Sequence, residues 1–370
     1  MTRLTVIVCA LVLSVPGLAS DYTFLPALSA DQGQDMPLLD IALCDSRLLA
    51  VGERGLVVYS DDMGETWLQA DVPVSQTLTA VYCLPSGEAW AVGHSASILA
   101  SVDRGETWSS QFDGYDANRQ WLDYARVEKE SLEKKVAVAE EADLADLEYA
   151  LEDAIFAIED ALEASETGPA DPFLDVWFSN DRQGYAVGAY GMIYRTEDGG
   201  KNWLLSVLGI ENLERYHYYS ITANNAGVMF LSGEAGLLYR SVDQGENWTR
   251  LNAGYDGSLF GLVITHEQSV LTFGLRGNIF RSEDDGDTWL SVEVEKNPRL
   301  SLYGGTRLGD DSIALVGAGG GILTSVNGGR VFQGRIMLSR NTLSAIVGSE
   351  LSRAQAVGMG GVDKPYGDDQ

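Results

Sequence analysis

Five times along the chain an eight-residue pattern returns, Ser/Thr-x-Asp-x-Gly-x-(Thr/Asn)-Trp, and its near-regular spacing restricts the fold more than any other feature. The copies run from Ser60 to Trp67, Ser101 to Trp108, Thr196 to Trp203, Ser241 to Trp248 and Ser282 to Trp289, with a decayed sixth from Ser325 to Phe332. From aromatic to aromatic, Trp67 to Trp108 is 41 residues, Trp203 to Trp248 is 45, Trp248 to Trp289 is 41 and Trp289 to Phe332 is 43. Such a period means propeller blades or helical arrays. The runs between boxes decide for blades. Short alternating segments such as Leu78 to Cys83, Ala89 to Gly93 and Gly191 to Arg195, bounded by Gly and Asp turns, read as antiparallel strands.

Within each box the aspartate (Asp62, Asp103, Asp198, Asp243, Asp284) can accept backbone N–H bonds, the Gly takes a positive φ, and the hydroxyl adds a local bond. Trp67, Trp108, Trp203, Trp248 and Trp289 are expected to bury their rings at equivalent positions. One or two carboxylates per box are too few for calcium, so the box reads as a structural turn between the third and fourth strands of a blade. No metal, cofactor or catalytic group is expected. Six blades end near Phe332 to Met337, and Thr342 to Gly348 with Ala354 to Gly360 begin a seventh that lacks a box. Tyr22 to Leu28 is expected to add its outer strand and so close the ring. The fold expected is all-β: a seven-bladed propeller over 21–362 with a frayed tail over 363–370.

One stretch breaks the repeat. Trp108 and Trp203 stand 95 residues apart, roughly fifty more than one blade takes. The excess, 116–167 between blades 2 and 3, reads as an antiparallel helical hairpin. Leu144, Leu147, Leu151, Ile155, Ile158 and Leu162 form the seam of its second helix, and Leu122, Ala125, Leu132, Val136 and Ala139 the facing stripe. The turn is placed at Glu140 to Asp143. The hairpin is acidic, and Trp121, Tyr124, Tyr149 and Phe156 fall partly off the seam, which suits a docking arm if they are exposed.

The chain carries a formal net charge of −29, which argues against nucleic acid and anionic membrane surfaces as partners. Residues 1–20 read as a secretory signal, with Arg3, an apolar run from Leu4 to Val15 and a small-residue exit. The apolar run is too short to span a bilayer. A periplasmic or secreted monomer, not inserted in the membrane, is therefore expected. Cys9 leaves with the signal. Cys44 and Cys83 end the first strands of blades 1 and 2, where an oxidising compartment permits a disulfide if neighbouring blades bring them close enough.

Strand bookkeeping sorts the loops. The insert, the inter-blade loops and the turns between second and third strands share one face, opposite the boxes. On it fall Arg54, Arg215, His217, Arg276, Arg299 and Arg340, a candidate site for an acidic segment. Trp121 and Tyr124 join them from the insert.

The boxes and the recurring Val187 to Thr196 and Phe273 to Ser282 segments resemble the bacterial neuraminidase repeat. More closely, they are similar to the propellers of the photosystem II assembly and stability factor family. That resemblance implies a non-catalytic lumenal or periplasmic factor that holds a membrane protein or envelope complex through an arginine patch. Similar proteins of non-photosynthetic bacteria accompany exporters of the resistance-nodulation-division type. Sialidases carry the same boxes, which makes a glycan-binding or glycoside-hydrolysing propeller the rival. Their first Arg, in a Phe/Tyr-Arg-Ile-Pro stretch, is missing here, where Phe24-Leu25-Pro26 stands. His94, His217 and His266 fall in different blades, which leaves a zinc site or a catalytic triad without support.

Overall fold

The structure, a computed structural model, describes residues 25–168, 171–309 and 311–366. The signal segment 1–20, Tyr22 to Phe24 and the last four residues lie outside it.

Among the described residues, seven sheets stand in a ring, antiparallel except that Glu293–Glu295 adds to the sixth in parallel with Val331–Ile336. In the first, Leu38–Cys44, Arg47–Gly52, Val57–Ser60 and Leu68–Gln69 follow one another from the centre outward. The innermost strands of the others are Leu78–Cys83, Phe173–Phe178, Tyr218–Ala223, Leu259–Ile264, Leu302–Arg307 and Leu343–Val347. Each packs on the innermost strands of both neighbours, and Leu343–Val347 returns to Leu38–Cys44. Second strands such as Ala89–Gly93 and Ile313–Gly317 are buried along their whole length. A strand covered on both faces needs no polar alternation, which explains these short runs of small and β-branched residues.

Tryptophans join the sheets. Trp108 packs among Cys44, Leu49 and Val57 of the first sheet, Trp203 among Trp90, Ile98 and Phe112 of the second, and Trp248 among Tyr185, Val187 and Ile193 of the third. These three are buried, but Trp67 and Trp289 are only half-buried, so the five are not equally buried, contrary to expectation. Trp67 packs toward the seventh sheet, against the cluster of Ala345 and Val357. That sheet has three strands, Leu343–Val347, Gln355–Gly358 and Gly361–Asp363, and so covers less of the ring.

The expected closure by Tyr22 to Leu28 is corrected. Its described part runs along the first sheet: the Ala27 N–H donates to the Val72 carbonyl (3.0 Å), and Gln69 Nε2 to the Leu28 carbonyl (2.9 Å). The ring is shut instead by the seventh sheet itself. Ser344 Oγ donates to the Leu38 carbonyl (2.8 Å), Gln355 Nε2 to the Met63 carbonyl (3.2 Å), and Lys364 pairs with Glu65 (2.6 Å). The described part of the expected tail, 363–366, is held in place: Tyr366 shares a hydrogen bond with Thr324 (2.6 Å) and lies under the Arg335 guanidinium.

The insert is two helices, α1 (Gly114–Val136) and α2 (Glu141–Thr167). Asp113 caps α1, its carboxylate accepting the Tyr115 and Asp116 N–H groups. The turn falls at 137–140, just before the expected one. In α2 the buried positions are Ala154, Ala157 and Ala161, while Ile155 and Leu162 of the expected seam are exposed. Leucines and alanines both recur at helical spacing here, and the alanines let the two helices approach more closely.

Candidate functional site

Each box closes on itself as an independent turn. In the first, Ser60 Oγ donates to Asp62 Oδ1 (2.7 Å) and accepts the Gly64 N–H (2.8 Å), while the Thr66 N–H and hydroxyl both donate to Asp62 (2.8 and 2.6 Å). The Thr66 hydroxyl bond leads in holding the Asp62 carboxyl down to about 2. The decayed copy keeps the pattern, with Asn327 Oδ1 accepting from Ser325 Oγ (2.8 Å) and from the Val331 N–H (3.1 Å). The carboxylates are thus spent within the turns. Among the described residues no group of three or more His, Cys, Asp or Glu is placed to hold a metal.

The same face spends most of its arginines. Arg47 pairs with Asp61 (2.7 Å) and Glu106 (3.0 Å), Arg195 with Glu246, Arg240 with Asp287 (2.8 Å), and Arg281 and Arg330 share Glu267. Most of these pairs reach from one sheet to the next. Cys44 and Cys83 are bonded there too, their Cα atoms 5.3 Å apart. Innermost strands converge on the channel, and that brings the two within reach.

The opposite face is different. Arg54, Arg215, Arg276, Arg299 and Arg340 are all exposed there, and none joins an ion pair among the described residues. All five hold left-handed backbone, with φ between 52° and 60°. Such backbone is uncommon outside glycine and clusters at functional sites. Arg54 and Arg276 sit at the middle of the turn between second and third strands; Arg215, Arg299 and Arg340 each lie three residues before an innermost strand. Turn and loop of adjacent sheets touch. A methyl on Gly277 would lie 3.6 Å from the Arg299 Cα, and one on Gly320 3.0 Å from the Arg340 Cα. The arginines are therefore set one per sheet around the channel mouth, with Arg276 and Arg299 as neighbours.

Sequence reasoning missed what lies between them. Every innermost strand bulges at its second residue. A bulge re-aims a side chain, and here Leu39, Thr79, Leu174, Tyr219, Phe260, Tyr303 and Ser344 line a channel of about 720 Å³. Three consecutive ones are aromatic, with centroids 5.1 Å apart from Tyr219 to Phe260 and 5.5 Å from Phe260 to Tyr303. His217 extends the run toward Tyr219 (6.2 Å) and Tyr190 (4.8 Å). His217 Nδ1 accepts the Tyr190 N–H (3.1 Å) and lies 3.7 Å from Glu234. The signal was present as an aromatic at one fixed position in three successive repeats.

Two carboxyls open on the channel. Asp40 accepts the Ile41 and Val81 N–H groups, and Asp175 those of Val176 and Ile221, all at 2.8 Å. Burial among packed strands pushes Asp40 up to about 7 and Asp175 up to about 6, against the pull of those amide bonds. Both oxygens of each are occupied in tying one sheet to the next, which is a structural task.

The hairpin root reaches the arginine face. Gln120 donates to the Trp203 carbonyl and accepts the Leu205 N–H, both at 2.8 Å, so α1 covers the short outer strand Leu204–Leu205 of the third sheet. Trp121 lies under the Arg215 guanidinium (5.1 Å) and beside Tyr124 (5.6 Å). Trp121 and Arg215, with Asp171, Tyr190 and Tyr194, border a cavity of about 280 Å³. Trp121, Tyr124, Arg215 and His217 are thus brought together at one end of the arc, while Arg54 stands three sheets away.

The family model described as photosynthesis system II assembly factor YCF48 matches residues 160–307, which include Arg215, His217, Arg276 and Arg299 but not Arg54 or Arg340. A structure of YCF48 bound to a D1 peptide superposes with a TM-score of 0.60 at 16% identity, covering 91% of this chain and 97% of that one. YCF48 from Cyanidioschyzon merolae gives 0.57 at 16%, covering 89% and 94%. The WD40 propeller domain of Doa1 gives 0.58 at 10%, covering 92% and 94%. At these identities the likeness is one of fold. No curated protein matches the sequence. The repeats, the ring of sheets and the matched stretch make this chain similar to the photosystem II assembly factor-like propellers.

Proposed function

We propose that the chain is a non-catalytic, seven-bladed Asp-box propeller that works outside the cytoplasm as a scaffold or assembly factor for a membrane protein complex. Its arginine face holds an acidic or carboxylate-bearing segment of that complex. One observation carries the reading. On the box face Arg47, Arg195, Arg240, Arg281 and Arg330 are paired with carboxylates and Arg104, Arg182 and Arg307 are not, whereas all five around the channel mouth are exposed and outside the ion pairs of the described residues, beside a run of aromatic rings. Charge for orientation and aromatic surface for anchoring suit a protein segment. The D1 peptide in one similar structure supports the same kind of partner. The Cys44–Cys83 bond supports an oxidising compartment. No helix among the described residues is long and apolar enough to cross a membrane.

The test is capture from the membrane fraction of the source cell, with the wild type and with Arg276→Glu/Arg299→Glu. The variant is expected to hold a membrane-protein partner roughly ten-fold more weakly, and wild-type binding to fall with salt, since exposed charge pairs are screened within about 8 Å at 0.15 M. Equal capture by both proteins would reject the arginine face. Release of reducing sugar from a glycan panel would favour the hydrolase instead.

A further inference from the structure

Helix α2 carries more apolar surface than its partner helix covers. Leu144, Leu147, Leu151 and Ile158 are half-buried on the stripe of the buried Ala154, Ala157 and Ala161, while four other large apolar side chains point outward. Tyr149 is 68% exposed, Phe156 61%, Leu162 47% and Ile155 36%. Tyr149 and Phe156 are seven residues apart and share one flank; Ile155 and Leu162, also seven apart, share the other. Glu152 and Glu159 lie between the flanks, on the side away from α1.

The charge is as one-sided as the packing. Over its 27 residues α2 has ten carboxylates and no lysine or arginine. Three of the five cations of α1 are paired within it, Arg119 with Asp116, Arg126 with Asp123 and Lys129 with Glu133, and Lys134 and Lys135 stand only at its last turn. None of the ion pairs among the described residues includes a carboxylate of α2. Glu148 and Glu152, and Glu159 and Glu163, are like charges one turn apart, which weakens an isolated helix. Such a face repels a second copy of a chain of net charge −29 and an anionic bilayer alike.

We propose that the outer face of α2 docks a basic, amphipathic helical segment of another protein, whose lysines or arginines lie along the Glu152–Glu159 ridge and whose aliphatic side chains seat on Tyr149, Ile155, Phe156 and Leu162. Anchors at seven-residue intervals match those of a helix lying alongside. The site is separate from the arginine face and opposite to it in charge, so it stands whether or not that face holds an acidic segment.

The test uses the full chain and two labelled synthetic 18-residue peptides of equal positive charge, one of leucine and lysine in amphipathic order and one with serine for leucine. Fluorescence anisotropy is expected to show the leucine peptide binding about ten-fold more tightly than the serine peptide. Phe156→Ser/Leu162→Ser should cost about ten-fold, as loss of interface anchors does. Glu152→Gln/Glu159→Gln should weaken binding and flatten its salt dependence, and Arg276→Glu/Arg299→Glu should leave it unchanged. Circular dichroism checks the helices, and Phe156→Leu, which keeps an apolar anchor, should retain binding even if the serine variant unwinds. Equal binding of the two peptides, unchanged binding by the hairpin variants, or a dimer of the parent chain that Phe156→Ser dissociates would overturn the proposal.

Discussion

A serine or threonine, more than the aspartate, reaches the interior of each box. Ser101 is 3% exposed; its Oγ donates to Asp103 and accepts the Gly105 N–H in a buried setting. The N–H groups of Glu106 and Thr107, which donate to Asp103, lie at the surface. Ser101→Ala strands a buried donor and is expected to cost about 1–3 kcal/mol, while Asp103→Ala leaves donors that water can satisfy and should cost less. Urea titration of the two variants orders them, and the reverse order would make the carboxylate the more important group. The box was legible because its bonds close within a few residues. The aromatic lining of the channel was not, because strict alternation along a strand misassigns the side chain at a bulge.

At the scale of the element, the hairpin tests how far the ring depends on what is inserted in it. The Gln120 bonds to the Trp203 carbonyl and Leu205 N–H cover an edge strand of only two residues, and Tyr194 Oη donates to the Ala117 carbonyl. Replacing 116–167 by a short Gly-Ser linker is expected to leave the ring folded but less stable by about 2 kcal/mol, at about 1 kcal/mol for each of the two Gln120 bonds. Near-ultraviolet circular dichroism and a thermal melt read both effects, and loss of tertiary signal at room temperature would show that the third sheet needs α1. The insertion point and the two helices could be read from the broken period and the apolar spacing. The seam could be read only in part: Leu144, Leu147, Leu151 and Ile158 are half-buried, but Ala154, Ala157 and Ala161 are buried where Ile155 and Leu162 were expected, and close approach decides between them. The described part, 25–28, of the strand assigned to Tyr22–Leu28 lies on the first sheet for a related reason: strand character does not say which sheet edge is free.

Across the whole molecule, two sets of carboxyls give stability opposite dependences on pH. Asp62 and Asp284, held down to about 2 from 3.8, contribute stability that is present above 3.8 and lost as pH falls toward 2. Asp40 and Asp175, pushed up from 3.8 to about 7 and about 6, contribute stability that is full below 3.8 and lost as pH rises through 6 and 7. The urea midpoint is therefore expected to peak near about pH 4 to 5, and Asp40→Asn should reduce the decline on the alkaline side. A midpoint that climbs steadily to pH 8 would contradict the buried pair. The ring as a whole was legible from the repeat, because one period implies one kind of neighbour contact; its closure was not, because it depends on which residues meet across the full length of the chain.

That closure has a consequence for how the protein is made. Ser344 and Leu38, joined by a hydrogen bond, are 306 residues apart in sequence, and contacts at that range form late and slowly. Until residues 343–363 leave the ribosome, the first sheet has no neighbour on one side, and the apolar flank around Leu38, Ile41 and Val58, later covered by Ala345 and Val357, faces water. A chain halted before residue 343 would be a row of finished sheets with a sticky end, a natural client for a chaperone and a natural seed for aggregation.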